Sequence, residues 1–269
     1  MPLQGSKVVG KSASLVTSSS SNRRRRRRVN RSMSSSMIST PTNPTTTTIQ
    51  KIYDISRDVF AAATPGFVPP PSDVERLTGF LDSLTLQDIG LDATMSCFTA
   101  NPRDHPKVTY VHFANSPTLS LCVFCFPQSA VIPLHDHPGM TVFSKILLGS
   151  MHIKSYDWVT ASSSNHVTRM PNGSARLAKL NTDAIFDATS KTVVLYPEDG
   201  GNLHYFNAMS PCAVLDVMGP PYCLEEGRDC SYFDSEAVHA GGDGQYAWLN
   251  KVPRTIEMNG FPMHLNIRM

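Results

Sequence analysis

The feature that most constrains this chain is a succession of short β-branched and aromatic segments that begins at Val108. VTYVHFA, LSLCVFCFP, the stretch from Val131 to His137, MTVFSKILLGSMHIKSYDWV, ARLAKL, KTVVLYP, HYFNAM and CAVLDVMG follow one another, separated by Gly, Pro, Asn and Ser clusters. Such short strands cannot bury their apolar faces singly; they stack as two sheets or close on themselves. An all-β sandwich or barrel is therefore predicted. At 269 residues and 41% apolar content the chain has enough surface to bury such a core.

Two short helices are predicted ahead of the strands. KIYDISRDVFAAA puts Ile52, Ile55, Val59 and Phe60 at helical spacing. After the breaker PGFVPPP a second helix is predicted, with Ser72 as N-cap, Glu75 completing a capping box, and Val74, Leu77, Phe80, Leu81 and Leu84 as its apolar stripe. Both are expected to pack outside the strands. Residues 1–50 are of another kind, rich in Ser, Thr, Arg and Pro, with the runs Arg23 to Arg28 and Thr45 to Thr48 and almost no large apolar side chains. Too little surface can be buried there to offset the entropy of ordering. The predicted organisation is a disordered tail, 1–50, and one folded domain, 51–269.

Charge divides the same way. Residues 1–53 hold ten Lys and Arg and no acid, leaving 14 bases against 22 acids, a net of −8, for residues 54–269. An acidic body argues against a nucleic-acid-binding face. Six consecutive arginines read as a nuclear localisation signal, giving nucleus and cytoplasm as the expected location; a Ser- and Arg-rich, acid-free amino terminus reads equally as a plastid transit peptide, or as a solvated tail with no address. The most apolar run, Leu119 to Pro133, is broken by Ser120, Gln128 and Ser129, too early for a membrane span. The six cysteines, Cys97, Cys122, Cys125, Cys212, Cys223 and Cys230, lack paired zinc spacing and are read as reduced thiols. Cys122 and Cys125 form a CxxC, but on a strand residues three apart face opposite sides, so they are expected to be apolar thiols rather than a shared metal site.

The tract with chemistry in it is Pro133-Leu134-His135-Asp136-His137-Pro138-Gly139-Met140. Histidines two apart on a strand project to one face, side by side as neutral nitrogen ligands. Nine histidines in a chain of this length produce such a pair by accident often enough that it needs support. Support comes from Leu195 to Asn207, where a strand ends in a Pro- and Gly-rich turn and re-enters at His204. HxH followed by GxxH resembles the two motifs of the cupin superfamily, in which neighbouring strands of a jelly roll aim the histidines into the barrel. That resemblance implies a cupin-type double-stranded β-helix, with Gly149 at the closing position of the first motif. It usually also implies a glutamate four or five residues after the second histidine; here those positions are Thr141 and Val142. Three histidines without an anionic ligand leave a metal ion its full charge and open positions, which suits a thiolate and dioxygen on iron and not on redox-inert zinc.

Over longer stretches, PLHDHPGMTVFSKILLGSMHIKSYDWV, YPEDGGNLHYF and AVLDVMGPPY resemble the plant cysteine oxidase and cysteamine dioxygenase family of thiol dioxygenases, across about residues 52 to 269. The resemblance implies an Fe(2+) enzyme, with His135, His137 and His204 as ligands, that adds both atoms of O2 to the N-terminal cysteine of a protein. It further implies ethylene response transcription factors as substrates and the arginine N-degron pathway as destination; a monomer is expected.

Asp216 stands in an apolar strand, where an acid is costly to bury without a partner. The resemblance implies a functional acid there, holding the substrate ammonium or a ligand; the alternative is an edge acid paired with a surface Lys or Arg. Tyr222 and Cys230 follow on a loop that resembles the family's pocket lining, Tyr222 as hydrogen-bond donor to an iron-bound oxygen or as a packing residue. Asp136, between the two histidines, points to the opposite face and is expected to be solvated, with support of a ligand from outside as the other reading. His105, His112, His152, His166, His239 and His264 have no partner at ligand spacing. Three functions remain to be separated: protein N-terminal cysteine dioxygenase, small-thiol dioxygenase acting on cysteamine or free cysteine, and a metal-binding cupin without turnover. A free amino acid's carboxylate wants an Arg partner; the nearest in sequence, Arg169 and Arg176, fall in a predicted loop, which weakens the free-cysteine reading.

Overall fold

CAVLDVMG alternates two sets of side chains, Ala213, Leu215 and Val217 against Val214, Asp216 and Met218, and both sets are buried. A strand buried on both faces lies in the middle of a sheet covered on both sides. In the computed structural model, which describes residues 44–100, 103, 105–159, 175–238, 245–254, 256–261 and 267, that strand is β9, Cys212–Gly219. Before it come β1 Thr109–Asn115, β2 Ser120–Phe126, β3 Val131–His135, β4 Thr141–Leu148, β5 Ser150–Trp158, β6 Arg176–Asp187, β7 Val193–Leu195 and β8 Leu203–Ala208, and after it β10 Tyr232–Val238, β11 Tyr246–Val252 and β12 Asn259–Gly260.

One sheet runs in the order β12-β1-β2-β9-β4-β7; the other runs β10-β11-β6-β5-β8-β3 and closes by pairing β10 with β3. Apart from the parallel contact of β1 with β12, neighbouring strands are antiparallel. Such strand order, out and back between two facing sheets, is the jelly-roll double-stranded β-helix, and the expected cupin-type architecture is the one observed. Phe126, Ile132, Ile146, Met151, Phe206 and Val214 fill the space between the sheets. Helices α1, Pro44–Val59, and α2, Pro71–Asp82, cover the outer face of the first sheet, as expected. Ile52, Val59, Leu77 and Leu81 from the helices share one buried cluster with Leu121, Val123, Phe143 and Leu215. Each such side chain contributes roughly 1.5–3 kcal/mol on burial.

Several local expectations are corrected. The N-cap position of α2 is Pro70, with no side-chain cap, and Ser72 lies inside the first turn, so the capping box with Glu75 does not form. Pro71 at the first helical position explains the shift, since its fixed φ and missing N–H fit that place. Helix α1 reaches back to Pro44, so the predicted boundary at residue 50 falls within a helix that includes Thr45 to Thr48. Fully buried Ile49 anchors that turn, and burial outweighs the low helix propensity of threonine. Residues 1–43, with the arginine run, lie outside the described residues. Strands β10 and β11 went unpredicted because their acidic and polar side chains break the alternation, and β6 continues to Asp187 instead of stopping at Leu180.

Cys122 and Cys125 do face opposite sides of β2, Cys122 toward the interior and Cys125 toward the helices, and both are fully buried; all six thiols are free. Among the described residues no helix is long and apolar enough to cross a membrane. Gly149 turns the chain between β4 and β5 at φ +74°, and a Cβ there would run into the Pro211 carbonyl, so only glycine fits.

Candidate metal centre

Strand β3 ends at His135, and two residues further on His137 faces the same interior. His204, second residue of β8, is the register partner of His135, so strand pairing itself brings the third imidazole opposite the first. His204 Nε2 lies 2.9 Å from His137 Nε2 and 3.1 Å from His135 Nε2. One ligand atom from each ring lies within 4.8 Å of the other two.

Hydrogen bonds settle how two of the rings present themselves. His135 Nδ1 is 2.9 Å from the Pro133 carbonyl, which only accepts, so Nδ1 carries the hydrogen and Nε2 the lone pair. The Tyr222 hydroxyl donates to the Asp136 carbonyl at 2.8 Å and so accepts from His137 Nδ1–H, also at 2.8 Å. That again leaves Nε2 as the free lone pair. Burial, above all, pushes His135 down to about 4. Burial, reinforced by the neighbouring imidazoles, holds His137 and His204 well below the usual histidine range. All three are neutral at physiological pH, the form that binds metal.

The arrangement fits a divalent ion. Two nitrogens about 2.1 Å from one ion and at a right angle stand about 3.0 Å apart, which is the spacing His204 keeps with each neighbour. Lone pairs of buried imidazoles aimed at one point repel unless a cation lies between them. No carboxylate joins them among the described residues. Thr141 donates its hydroxyl to the Phe67 carbonyl at 2.6 Å, and Val142 packs among apolar side chains.

Beside the histidines opens a cavity of about 700 Å3 whose wall includes His135, His137, Asp216, Tyr222, Cys230 and Arg254. Asp216 is 2% exposed, and its Oδ1 has no hydrogen-bond partner. Burial pushes its carboxyl up to about 7, against a smaller lowering by Ser144. No described Lys or Arg pairs with it, so the edge-acid alternative fails and the carboxyl faces the cavity. Tyr222 holds His137 through its hydroxyl, a role the sequence reading did not anticipate. Cys230 lies beside Tyr222 and Tyr232, its thiol pushed up by burial.

Asp136 is not a solvated acid. It accepts the Ser231 backbone N–H at 2.8 Å and donates its own N–H to the Ser231 carbonyl at 3.1 Å, pinning the loop that carries Cys230. Burial pushes it up to about 6. Among the described residues that line the cavity the cation is Arg254; Arg176 stacks 4.5 Å over Trp158, and Arg169 lies outside the described residues. Exposed His112 stacks on Tyr110 at the cavity wall, and His152 pairs with Asp183 at 2.6 Å. His166, His239 and His264 lie outside the described residues. Asn202 escaped the sequence reading altogether; it is buried against His137.

A double-stranded β-helix that aims three neutral histidines at one point defines a cupin-type metal centre. Residues 80–264 match the PCO_ADO family, and the chain belongs to that family. It is 42% identical over 221 residues to plant cysteine oxidase 1 of Arabidopsis thaliana, covering 76% of this chain and 73% of that protein. It is 30% identical over 187 residues to human 2-aminoethanethiol dioxygenase, covering 64% of this chain and 68% of that protein. Among solved structures it is similar to an RmlC-like cupin protein from Desulfovibrio desulfuricans, at 15% identity and a TM-score of 0.26 over 43% of this chain and 84% of that one. At that distance the fold assignment rests on the strand order above.

Proposed function

We propose that this protein is an iron(II)-dependent thiol dioxygenase that adds both atoms of O2 to the sulfur of an N-terminal cysteine in target proteins, giving cysteine sulfinic acid. The observation that carries this reading is the site itself: three neutral imidazoles converge without a carboxylate, and two of them, His135 and His137, line the cavity together with a buried acid whose Oδ1 is unpartnered. Iron, when bound, supplies one redox-active position at which a thiolate and dioxygen meet, making a bimolecular oxidation effectively intramolecular. The protein's own residues do the rest. His135, His137 and His204 hold the ion, and Tyr222 fixes the His137 ring. Asp216 gives the substrate ammonium an anion that water does not screen. A group the protein leaves unpaired is thereby satisfied by the ligand.

Cavity size favours a peptide. About 700 Å3 falls within the roughly 300–1,000 Å3 of sites that enclose drug-sized ligands, and a two-carbon thiol fills little of it. The human relative's name, 2-aminoethanethiol dioxygenase, makes that small thiol the second reading. Ethylene response transcription factors are the proposed targets, their oxidised termini entering the arginine N-degron pathway in an oxygen-sensing response. Arg23 to Arg28 support nucleus and cytoplasm as the location, with plastid as the alternative. The protein acts as a monomer without binding nucleic acid directly, in keeping with its acidic body.

The test is aerobic incubation of iron-loaded protein with a Cys-initiated peptide, which gains about 32 Da as sulfinic acid, while the N-acetylated peptide does not react. Turnover of cysteamine alone moves the assignment to the small-thiol reading. Bound iron with no product from either leaves a non-catalytic cupin, and His204→Ala protein with normal turnover refutes the ligand set.

A further inference from the structure

We infer that Asn202 is a positioning residue for the metal centre, its side-chain amide standing in for a missing strand along the backbone of His137. The inference rests on the metal reading of the three histidines. Pairing of β3 with β8 stops at His135 opposite His204, so His137 lies beyond the ladder that locates the other two ligands. Something else has to fix its backbone. Asn202 Oδ1 accepts the His137 N–H at 3.0 Å, and Asn202 Nδ2 donates to the His137 carbonyl at 3.1 Å. One amide therefore meets both polar groups of one residue, the exchange that a facing residue makes in an antiparallel ladder.

The remaining bonds of Asn202 tie this clamp to the second motif. Nδ2 also donates to the Tyr196 carbonyl at 2.9 Å, with the Met140 carbonyl at a longer 3.4 Å. All of these partners are backbone groups. Asn202 stands just before β8, two residues ahead of His204, so the segment that delivers the third ligand also holds the second. The side chain is 7% exposed, and a buried amide with both ends satisfied is rigid, because any movement of His137 breaks bonds that water cannot replace. Aspartate has the same shape but sets a second acceptor against the carbonyls. It cannot do the same work.

Anaerobic titration of the full-length protein with Co(II), followed by its visible absorption, tests this. Asn202→Ala and Asn202→Asp are each expected to weaken Co(II) binding about 10–100-fold and to change the band shape. Thr192→Ala, which removes a hydroxyl bonded to Asp82 at 2.8 Å where the β6–β7 connection meets α2, is expected to lower stability and leave Co(II) binding unchanged. Wild-type affinity in either Asn202 variant, or a loss matched by Thr192→Ala, overturns the inference. Should the variants not fold, deuterium exchange in the wild-type protein decides it. The His137 amide is expected to be protected although it lies outside any strand, and exchange at the rate of an unbonded loop amide overturns the clamp. A wild-type protein that takes up no Co(II) while protecting that amide refutes the metal reading and spares the clamp.

Discussion

Asp216→Asn should reverse its effect on stability with pH. The carboxyl is 2% exposed, has an unpartnered Oδ1, and is held at about 7 where its ordinary value is 3.8. The folded state therefore keeps its proton after the unfolded chain has released one. Stability attached to this group is complete below pH 4 and is lost as pH rises from there through about 7, by an amount on the order of 4 kcal/mol. Asparagine is nearly isosteric and never ionises, but it buries an amide without a full set of partners, at about 1–3 kcal/mol independent of pH. Near pH 4 the variant should be the less stable protein; above pH 7 it should be the more stable by about 1–3 kcal/mol. Urea unfolding of the two metal-free proteins at a series of pH values reads the difference directly, and other titrating groups cancel in it. Parallel profiles would mean that Asp216 titrates as an ordinary carboxyl, and the burial argument fails with them. The stabilised variant is also expected to lose turnover of a Cys-initiated peptide, as a group kept for function and not for folding would.

Tyr222→Phe removes the hydroxyl that accepts from His137 Nδ1 at 2.8 Å; iron affinity by competition with a chelator should fall about 10–100-fold, with the fold intact by circular dichroism. Leu81→Ala empties a fully buried position between α2 and the first sheet and should cost about 2–5 kcal/mol in urea unfolding while leaving metal affinity unchanged; a loss of metal binding would mean that the helical layer shapes the site.

Strand periodicity was legible without any coordinates, and with it the facing of His135 and His137 and the separation of Cys122 from Cys125. Each follows from an alternation of two that holds along any strand, whatever its neighbours. Thr141 and Val142 were equally plain, since a missing carboxylate is missing in any fold. Local rules failed where a non-local contact outweighed them: Ile49 carries α1 into the threonine run through burial, and Pro71 displaces Ser72 from the cap. Asp136 read as solvated because nothing in its neighbourhood of sequence announces Ser231, ninety-five positions away. Asn202, Arg254 and the closure of β10 onto β3 depend likewise on how distant segments meet. Sequence by itself determined which side chains share a face, because that is a property of one strand; which faces meet, and which amide lies against which histidine, only the packing of the sheets decided.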